Sequence, residues 1–175
     1  MTSCNLETFG AVFSTFSASL FRFEALPKYV VEGEIEHFEE FERGDAEPSK
    51  NFMSGWHQML EAAKADGKII DRVRAFSDPI SAYERFEYEW GFKHSLSKGE
   101  NIRGISVSEV EALTAGLPIV KDFWLVDESA CFLMEYDQVG NFLGFSAVPE
   151  DLVPRYVESS KKLMAASSEI SEFIK

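Results

Sequence analysis

Residues 68–107 constrain the fold more than any other stretch, because their pattern predicts a strand, a turn, a helix, a loop and a second strand in direct succession. Alternation along the first strand places Arg72 and Arg74 on one face. The same face carries the apolar residues Ile70 and Phe76, which indicates that it is buried. Since an unpaired buried charge costs several kcal/mol, we expect carboxylates to reach this strand from elsewhere in the chain.

The helix of this stretch is predicted to start at Ser81, because Ser81 and Glu84 have the spacing of a capping box. Its apolar stripe consists of aromatic residues at helical spacing: Tyr83, Phe86 and Trp90. Glu87 falls inside that stripe, so we expect it to pair with Arg72 or Arg74 across the contact between strand and helix. Such a pair has two interpretations, a structural ion pair or part of a ligand-binding charge cluster.

The whole chain, residues 1–175, is predicted to form one domain, since 45% of its residues are hydrophobic and 14% are aromatic. The pattern favours the α/β class, with α+β as the alternative, and a central mixed sheet of about five strands flanked by helices. Residues 1–66 are predicted to be mainly helical, residues 67–148 to form the sheet, and residues 149–175 to form a C-terminal helix.

Three of the predicted strands form a meander over residues 122–127, 131–136 and 142–148. The first of them contains the nearly continuous apolar run DFWLV, and runs of this kind belong to strands that are covered on both sides. We therefore expect Phe123 and Trp124 to be buried on opposite faces of a central strand.

A net charge of -13 argues against direct binding to nucleic acid, which requires basic side chains to neutralise phosphates. The same charge disfavours anionic membranes, and no run of about 18 apolar residues predicts a membrane-spanning helix. The sequence starts without the basic and apolar regions of a secretory signal, and its two cysteines, Cys4 and Cys131, do not suggest a disulfide framework. We therefore expect a soluble cytoplasmic protein.

Residues 32–47 contain eight acidic residues and one arginine, yet their apolar residues keep helical spacing. The predicted acidic face comprises six glutamates: Glu32, Glu34, Glu36, Glu39, Glu40 and Glu42. One interpretation is a solvated helix face. The other is a surface that imitates the phosphates of nucleic acid and occupies the groove of a basic partner.

Familiar catalytic and cofactor motifs are absent from the sequence. His37, His57 and His94 are scattered, so no metal site is predicted. The sequence lacks a glycine-rich phosphate loop and a Gly-x-Ser-x-Gly motif, so we predict no cofactor and assign no catalytic residue. What remains is a constellation predicted to bind a ligand or a partner: Arg72, Arg74, Tyr83, Arg85, Glu87, Glu100, Arg103, Asp122 and Asp127.

Seven short motifs, spread over most of the chain, together resemble an uncharacterised actinobacterial domain family. They are RFE at 22–24, Pro27-x-Tyr29, RVR at 72–74, Tyr83-x-RFE at 85–87, GE-x-IR at 99–103, DFWL at 122–125 and M-x-YD-x-x-G-x-F-x-G ending at Gly144. The first motif departs slightly, because the family pattern there is closer to RLE. Members of that family are often encoded beside helix-turn-helix regulators, so the resemblance implies a protein partner of that kind but no established activity.

The order of predicted elements also resembles one half of a phospholipase D-like unit, with Asp127 at the end of a strand. The catalytic motif of that superfamily is His-x-Lys, which this sequence lacks. The likeness therefore implies a non-catalytic unit, similar to the ligand-sensing domains of some transcription regulators.

These observations favour a non-enzymatic sensing or protein-interaction module that works with a protein partner. A first alternative is an acidic nucleic-acid mimic that inhibits a DNA- or RNA-binding protein. A second is a hydrolase with an unrecognised carboxylate site, because the abundance of carboxylates prevents any pair from being assigned as acid and base.

Overall fold

The protein contains a mixed β-sheet of seven strands. The computed structural model describes residues 10, 12, 13, 15–48, 52–114 and 122–174. The strands are β1 (Ser19–Glu24), β2 (Ile69–Phe76), β3 (Asn101–Ser106), β4 (Phe123–Val126), β5 (Ala130–Tyr136), β6 (Phe142–Ala147) and β7 (Ser168–Glu169). Their order across the sheet is β6-β5-β4-β1-β2-β3-β7. The mixed sheet is confirmed, but the prediction of about five strands was too low because β1 and β7 were missed.

The direction of the strands divides the sheet into two parts. β1, β2 and β3 are parallel neighbours, and β4 joins them antiparallel to β1. β4, β5 and β6 form the predicted antiparallel meander, while β7 adds two residues antiparallel to β3. The helices between the parallel strands pack on one face of the sheet, and the helices that follow β3 and β6 pack on the other face.

Six α-helices have defined bounds between and after the strands in the described part of the chain. They are α1 (Ile35–Glu42), α2 (Ser54–Ala65), α3 (Ala82–Phe86), α4 (Lys93–Lys98), α5 (Val107–Thr114) and α6 (Val153–Ala166). A π-helical turn (Glu87–Phe92) joins α3 to α4, and short 3-10 turns occupy Glu150–Leu152 and Ile170–Glu172. None of the helices within the described ranges is long and apolar enough to cross a membrane.

One face of the sheet is almost wholly apolar and packs against α5 and α6. Phe21, Phe23 and Phe123 lie in this core together with Tyr156 and Leu163 of α6. Each is at most 8% exposed, so the layer is well sealed. This face carries no charged side chain into its core cluster, in contrast to the opposite face.

The opposite face combines apolar residues with charges. Leu20, Ile70 and Trp124 pack there against Leu60 of α2. Phe123 is 1% exposed and Trp124 is 8% exposed, and they belong to the two different core clusters. The prediction that these two aromatic residues are buried on opposite faces of a central strand is confirmed.

β1 is a strand that the sequence pattern did not predict, and it lies at the centre of the sheet between β4 and β2. Phe21, Arg22, Phe23 and Glu24 alternate between apolar and charged residues, which is typical of a strand with one solvent-exposed face. In the structure both faces are buried, because Arg22 and Glu24 pair with charged side chains from other parts of the chain.

A small aromatic layer covers the charged half of the second face. The predicted capping box at the start of α3 is confirmed, with Ser81 Oγ accepting from the Glu84 amide at 3.1 Å and Glu84 Oε2 accepting from the Ser81 amide at 2.6 Å. The cap orients α3 so that Tyr83 and Phe86 pack against Phe38 of α1. The predicted aromatic stripe of this helix therefore faces the arginines of the sheet.

Candidate ligand-binding site

Three buried arginines lie side by side on the second face of the sheet. The register of the parallel strands pairs Arg22 of β1 with Arg72 of β2, and Arg74 follows two residues later on the same face. They are 4%, 7% and 0% exposed, respectively. Because arginine stays charged at any physiological pH, each of them needs buried acceptors.

Arg72 sits at the centre of this cluster and binds two carboxylates. Its Nη1 lies 2.7 Å from Glu24 Oε2, and its Nε donates to Glu100 Oε1 at 2.6 Å. The other oxygen of Glu100 accepts from Trp56 Nε1 at 2.9 Å, so Glu100 is fixed at both ends. Glu100 is 2% exposed and is therefore a buried partner of Arg72.

Arg74 makes the ion pair that the sequence predicted with Glu87. Its Nε and Nη2 donate to Glu87 Oε2 at 3.0 and 2.7 Å, and its Nη1 donates to the carbonyl of Ala75 at 3.1 Å. The guanidinium also lies 5.3 Å from the centroid of the Tyr29 ring, which is a cation–π contact. The prediction that Glu87 pairs with an arginine of this strand is confirmed.

Arg22 binds the carboxylate at the end of the neighbouring strand. Its Nη2 donates to Asp122 Oδ2 at 3.0 Å and to the Tyr136 hydroxyl at 3.1 Å, and its Nε donates to Glu24 Oε1 at 3.3 Å. Asp122 also accepts from the Tyr29 hydroxyl at 2.6 Å. Arg22 Nη1 has no hydrogen-bond partner in the described part of the chain, although it is buried.

A cavity of about 570 Å³ opens over these groups, between the sheet, the segment that leads into α1, and the π-helical turn. Its charged lining consists of Arg22, Glu24, Glu32, Glu34, Arg72 and Glu87. Its aromatic lining consists of Tyr29, Phe52, Tyr83, Phe86, Phe92, Trp124, Tyr136 and Phe142. This volume and this mixture of aromatic walls with a few polar groups are typical of sites for small molecules.

The carboxylates of the cavity differ in how well their charge is compensated. Burial opposes the charge of Glu24, but Arg72 and Arg22 outweigh it and lower its pKa to about 2. Burial raises the pKa of Glu87 to about 8, and Arg74 only partly opposes this shift. Burial also raises the pKa of Glu34. Glu24 is thus an internal partner of the arginines, whereas Glu34 and Glu87 gain from further positive charge.

The π-helical turn gives Glu87 its position, because Glu87 is the first residue of the turn. Turns of this type inside a helix are rare and are frequent at functional sites. Gly91 of the same turn lines the cavity, and a Cβ atom there would lie 3.1 Å from Met53 Sδ. The sequence predicts a regular helix here and gives no signal for the turn beyond a glycine in its interior.

Three residues of the predicted constellation lie outside the cavity. Arg103 donates from Nη2 to the carbonyl of Ser167 at 2.6 Å, which fastens the segment after α6 to β3. Asp127 accepts four hydrogen bonds from the backbone and side chains of residues 17–19, at the far end of β1. Arg85 lies half-buried on α3 and does not line the cavity.

The remaining six members of the constellation gather at the cavity or directly beneath it: Arg72, Arg74, Tyr83, Glu87, Glu100 and Asp122. Sequence reasoning omitted Arg22, Glu24, Tyr29 and Glu34 from the site. A signal for the first three existed in the motifs RFE and Pro27-x-Tyr29, which carry part of the family resemblance. Glu34 had been placed on the acidic face instead.

The six glutamates of the predicted acidic face differ in their exposure and contacts. Glu34 turns inward, where its Oε2 accepts from the Tyr83 hydroxyl at 2.8 Å, and Glu40 contacts His37 at 3.0 Å. The other four glutamates of the predicted face are exposed: Glu32, Glu36, Glu39 and Glu42. A continuous imitation of a phosphate backbone is therefore not formed by all six residues.

The described residues contain no group of three or more histidine, cysteine or acidic side chains that could hold a metal ion. Cys131 is buried in the apolar face, and burial raises the pKa of its thiol. Since the thiolate is the reactive form, Cys131 is placed as a packing residue rather than a nucleophile.

A sequence model of the family described as Domain of unknown function (DUF6879) matches residues 7–175. The chain belongs to this family. The match includes every residue that lines the cavity, so the charged cluster and its aromatic walls are parts of the DUF6879 domain itself. A search of curated proteins finds no match. The description of the DUF6879 family assigns no activity.

Proposed function

We propose that the chain is a non-enzymatic sensing module that binds a small molecule in this cavity. The observation that carries the proposal is a cavity of about 570 Å³ whose aromatic walls close over a floor of buried arginines and carboxylates. Clefts of this volume that combine aromatic walls with a few convergent polar groups are typical binding sites for small molecules.

The floor of the cavity provides fixed charges that suit the recognition of a ligand. Arg22, Arg72 and Arg74 hold their protons at all physiological pH values. Glu24 is kept ionised by two of them, since its pKa lies at about 2. Fixed charges of this kind orient a ligand.

Occupation of the cavity is proposed to reach the surface through α1. Glu34 lines the cavity and is also the residue that precedes the first turn of α1. The outer side of α1 carries three exposed glutamates, Glu36, Glu39 and Glu42. We propose this side as the contact surface for a basic protein partner, and the family resemblance suggests a helix-turn-helix regulator.

The ligand proposal is tested by affinity selection from a metabolite extract of the native host, with bound compounds released and identified by mass spectrometry. Val31 lines the cavity and is 45% exposed, so Val31→Trp blocks the opening. Val139 is 66% exposed and does not itself line the cavity, and Val139→Trp is the matched control. We expect a compound that is retained by the wild type and by Val139→Trp but lost from Val31→Trp. Identical compounds in all three samples would contradict the proposal.

The partner proposal is tested by co-purification from the native host. A triple variant with Glu36, Glu39 and Glu42 changed to Lys should lose a partner that the wild type retains, and the complex should weaken in high salt. Retention of the same partner by the triple variant would place the contact elsewhere.

A further inference from the structure

We infer that the cavity selects an organic cation with an apolar body, whose positive group binds Glu34 and Glu87 and whose far end presents a hydrogen-bond acceptor to Arg22. This inference rests on the proposal that the cavity is a ligand site. It adds the chemical class of the ligand and the residues that bind it.

Two carboxylate oxygens of the cavity lining are unused. Glu34 accepts from Tyr83 only through Oε2, and Glu87 accepts both bonds from Arg74 through Oε2. The Oε1 atoms of both glutamates accept no hydrogen bond from the residues described here. Each is therefore open to a donor, and an ammonium or amidinium group supplies several donors together with the matching charge.

Aromatic rings surround these carboxylates. The ring of Tyr83 lies 6.2 Å from that of Tyr29 and 5.8 Å from that of Phe86, measured between centroids, and all three rings line the cavity. The faces of aromatic rings attract cations, as the contact between Arg74 and Tyr29 already shows in this structure. The same walls provide apolar contact for the body of the ligand.

The charge of the lining also favours a cation. Two arginines and four glutamates line the cavity, and the arginines already bind Glu24, Glu100 and Asp122. The net charge of -13 for the chain attracts cations and repels anions at long range. An anionic ligand would have to approach Glu34 and Glu87 directly.

Arg22 supplies the second, independent feature of the site. It is 4% exposed, it lines the cavity, and its Nη1 lacks a partner among the described residues. A buried guanidinium donor without an acceptor is costly, and a ligand oxygen or nitrogen would satisfy it. Arg74 marks the position of its partner Glu87, and strand spacing and rise place the Cα atoms of Arg22 and Arg74 roughly 8 Å apart. We therefore place the acceptor and the cation at opposite ends of the ligand.

Four probes with one aromatic body separate these requirements: tyramine, phenethylamine, p-cresol and 4-hydroxyphenylacetate. Tyramine has a cation and a distant hydroxyl, phenethylamine lacks the hydroxyl, p-cresol lacks the charge, and 4-hydroxyphenylacetate reverses it. By isothermal titration calorimetry we expect tyramine to bind most tightly, with p-cresol and 4-hydroxyphenylacetate weaker by at least about tenfold. Phenethylamine should fall between them.

Substitutions identify the residues that bind the positive group of the probe. Glu34→Gln should weaken tyramine by about tenfold and leave p-cresol unchanged, since only the charge of the side chain is removed. Glu36→Gln lies on the exposed side of the same helix and is the matched control, with no change expected for either probe. Melting temperatures establish that both variants are folded. The four-probe series on the wild type tests the ligand class independently of these variants.

Equal or tighter binding of p-cresol or 4-hydroxyphenylacetate would overturn the assignment of a cation, and so would failure of both amines to bind. The affinity selection separates this failure from failure of the ligand site. A retained neutral or anionic metabolite would leave the site standing and reject only its ligand class. If the wild type retained no compound that Val31→Trp loses, both the ligand site and its ligand class would be rejected.

Discussion

Glu87→Ala is the substitution that most sharply tests the charged floor, because it removes the only carboxylate that Arg74 contacts among the described residues. The Arg74 side chain is fully buried, and two of its three hydrogen bonds end on Glu87 Oε2. Breaking a buried pair by removing one partner costs about 3–5 kcal/mol, since the remaining charge is left uncompensated. The carbonyl of Ala75 and the Tyr29 ring remain, but they cannot replace the lost carboxylate.

The assay is urea unfolding followed by tryptophan fluorescence, with thermal melts as a second measure. For a chain of this size the expected loss corresponds to a fall in melting temperature of about 6–20 °C. Glu61→Ala is a matched control, because Glu61 forms an ion pair with Lys98 at 2.6 Å on the surface. Exposed pairs of this kind contribute little, and we expect the melting temperature of Glu61→Ala to stay near that of the wild type.

A double variant separates the lost pair from lost packing. Arg74→Met combined with Glu87→Leu removes both charges and keeps apolar volume, so its free energy of unfolding should lie within about 1 kcal/mol of the wild type. If Glu87→Ala itself lost less than about 1 kcal/mol, Arg74 would not depend on Glu87 and the reasoning about the floor would be refuted.

Three further substitutions test other parts of the account. Asp127 accepts four hydrogen bonds that lower its pKa to about 2, so its contribution to stability is present above about pH 4 and is lost as the pH falls toward 2. Asp127→Asn should therefore flatten this part of the curve of unfolding free energy against pH. An unchanged curve would contradict this role of Asp127. Trp56→Phe removes the donor to Glu100 and should cost about 1 kcal/mol in urea unfolding, whereas no loss would show that Glu100 needs only one partner. Arg103→Ala should speed hydrogen exchange around Ser167 without changing ligand affinity, and weakened ligand binding would return Arg103 to the site.

The parts of the site that sequence reasoning found are those set by local periodicity. Alternation along β2 placed Arg72 and Arg74 on one face, and helical spacing placed Glu87 opposite them. Both patterns act over a few residues, and a buried charge demands a partner wherever it lies. The ion pair between Arg74 and Glu87 could therefore be predicted across 13 positions of the chain.

The parts that were missed depend on contacts between distant segments. Arg22 meets Asp122 across 100 positions, and nothing in the neighbourhood of either residue indicates the other. Glu34 lies on a helix-spaced acidic segment, and only the Tyr83 hydroxyl, 49 positions away, turns it inward. The π-helical turn at Glu87 likewise has no local sequence rule.

A crystal structure of the protein purified from its native host tests the central claim most directly, because a sensing cavity should retain its ligand or accept the compound recovered by affinity selection. We expect non-protein density in the cavity, with a positive group near Glu34 and Glu87. We also expect an acceptor atom at about 2.7–3.2 Å from Arg22 Nη1. A cavity that holds only ordered water after soaking with that compound would contradict the claim that this is a ligand site.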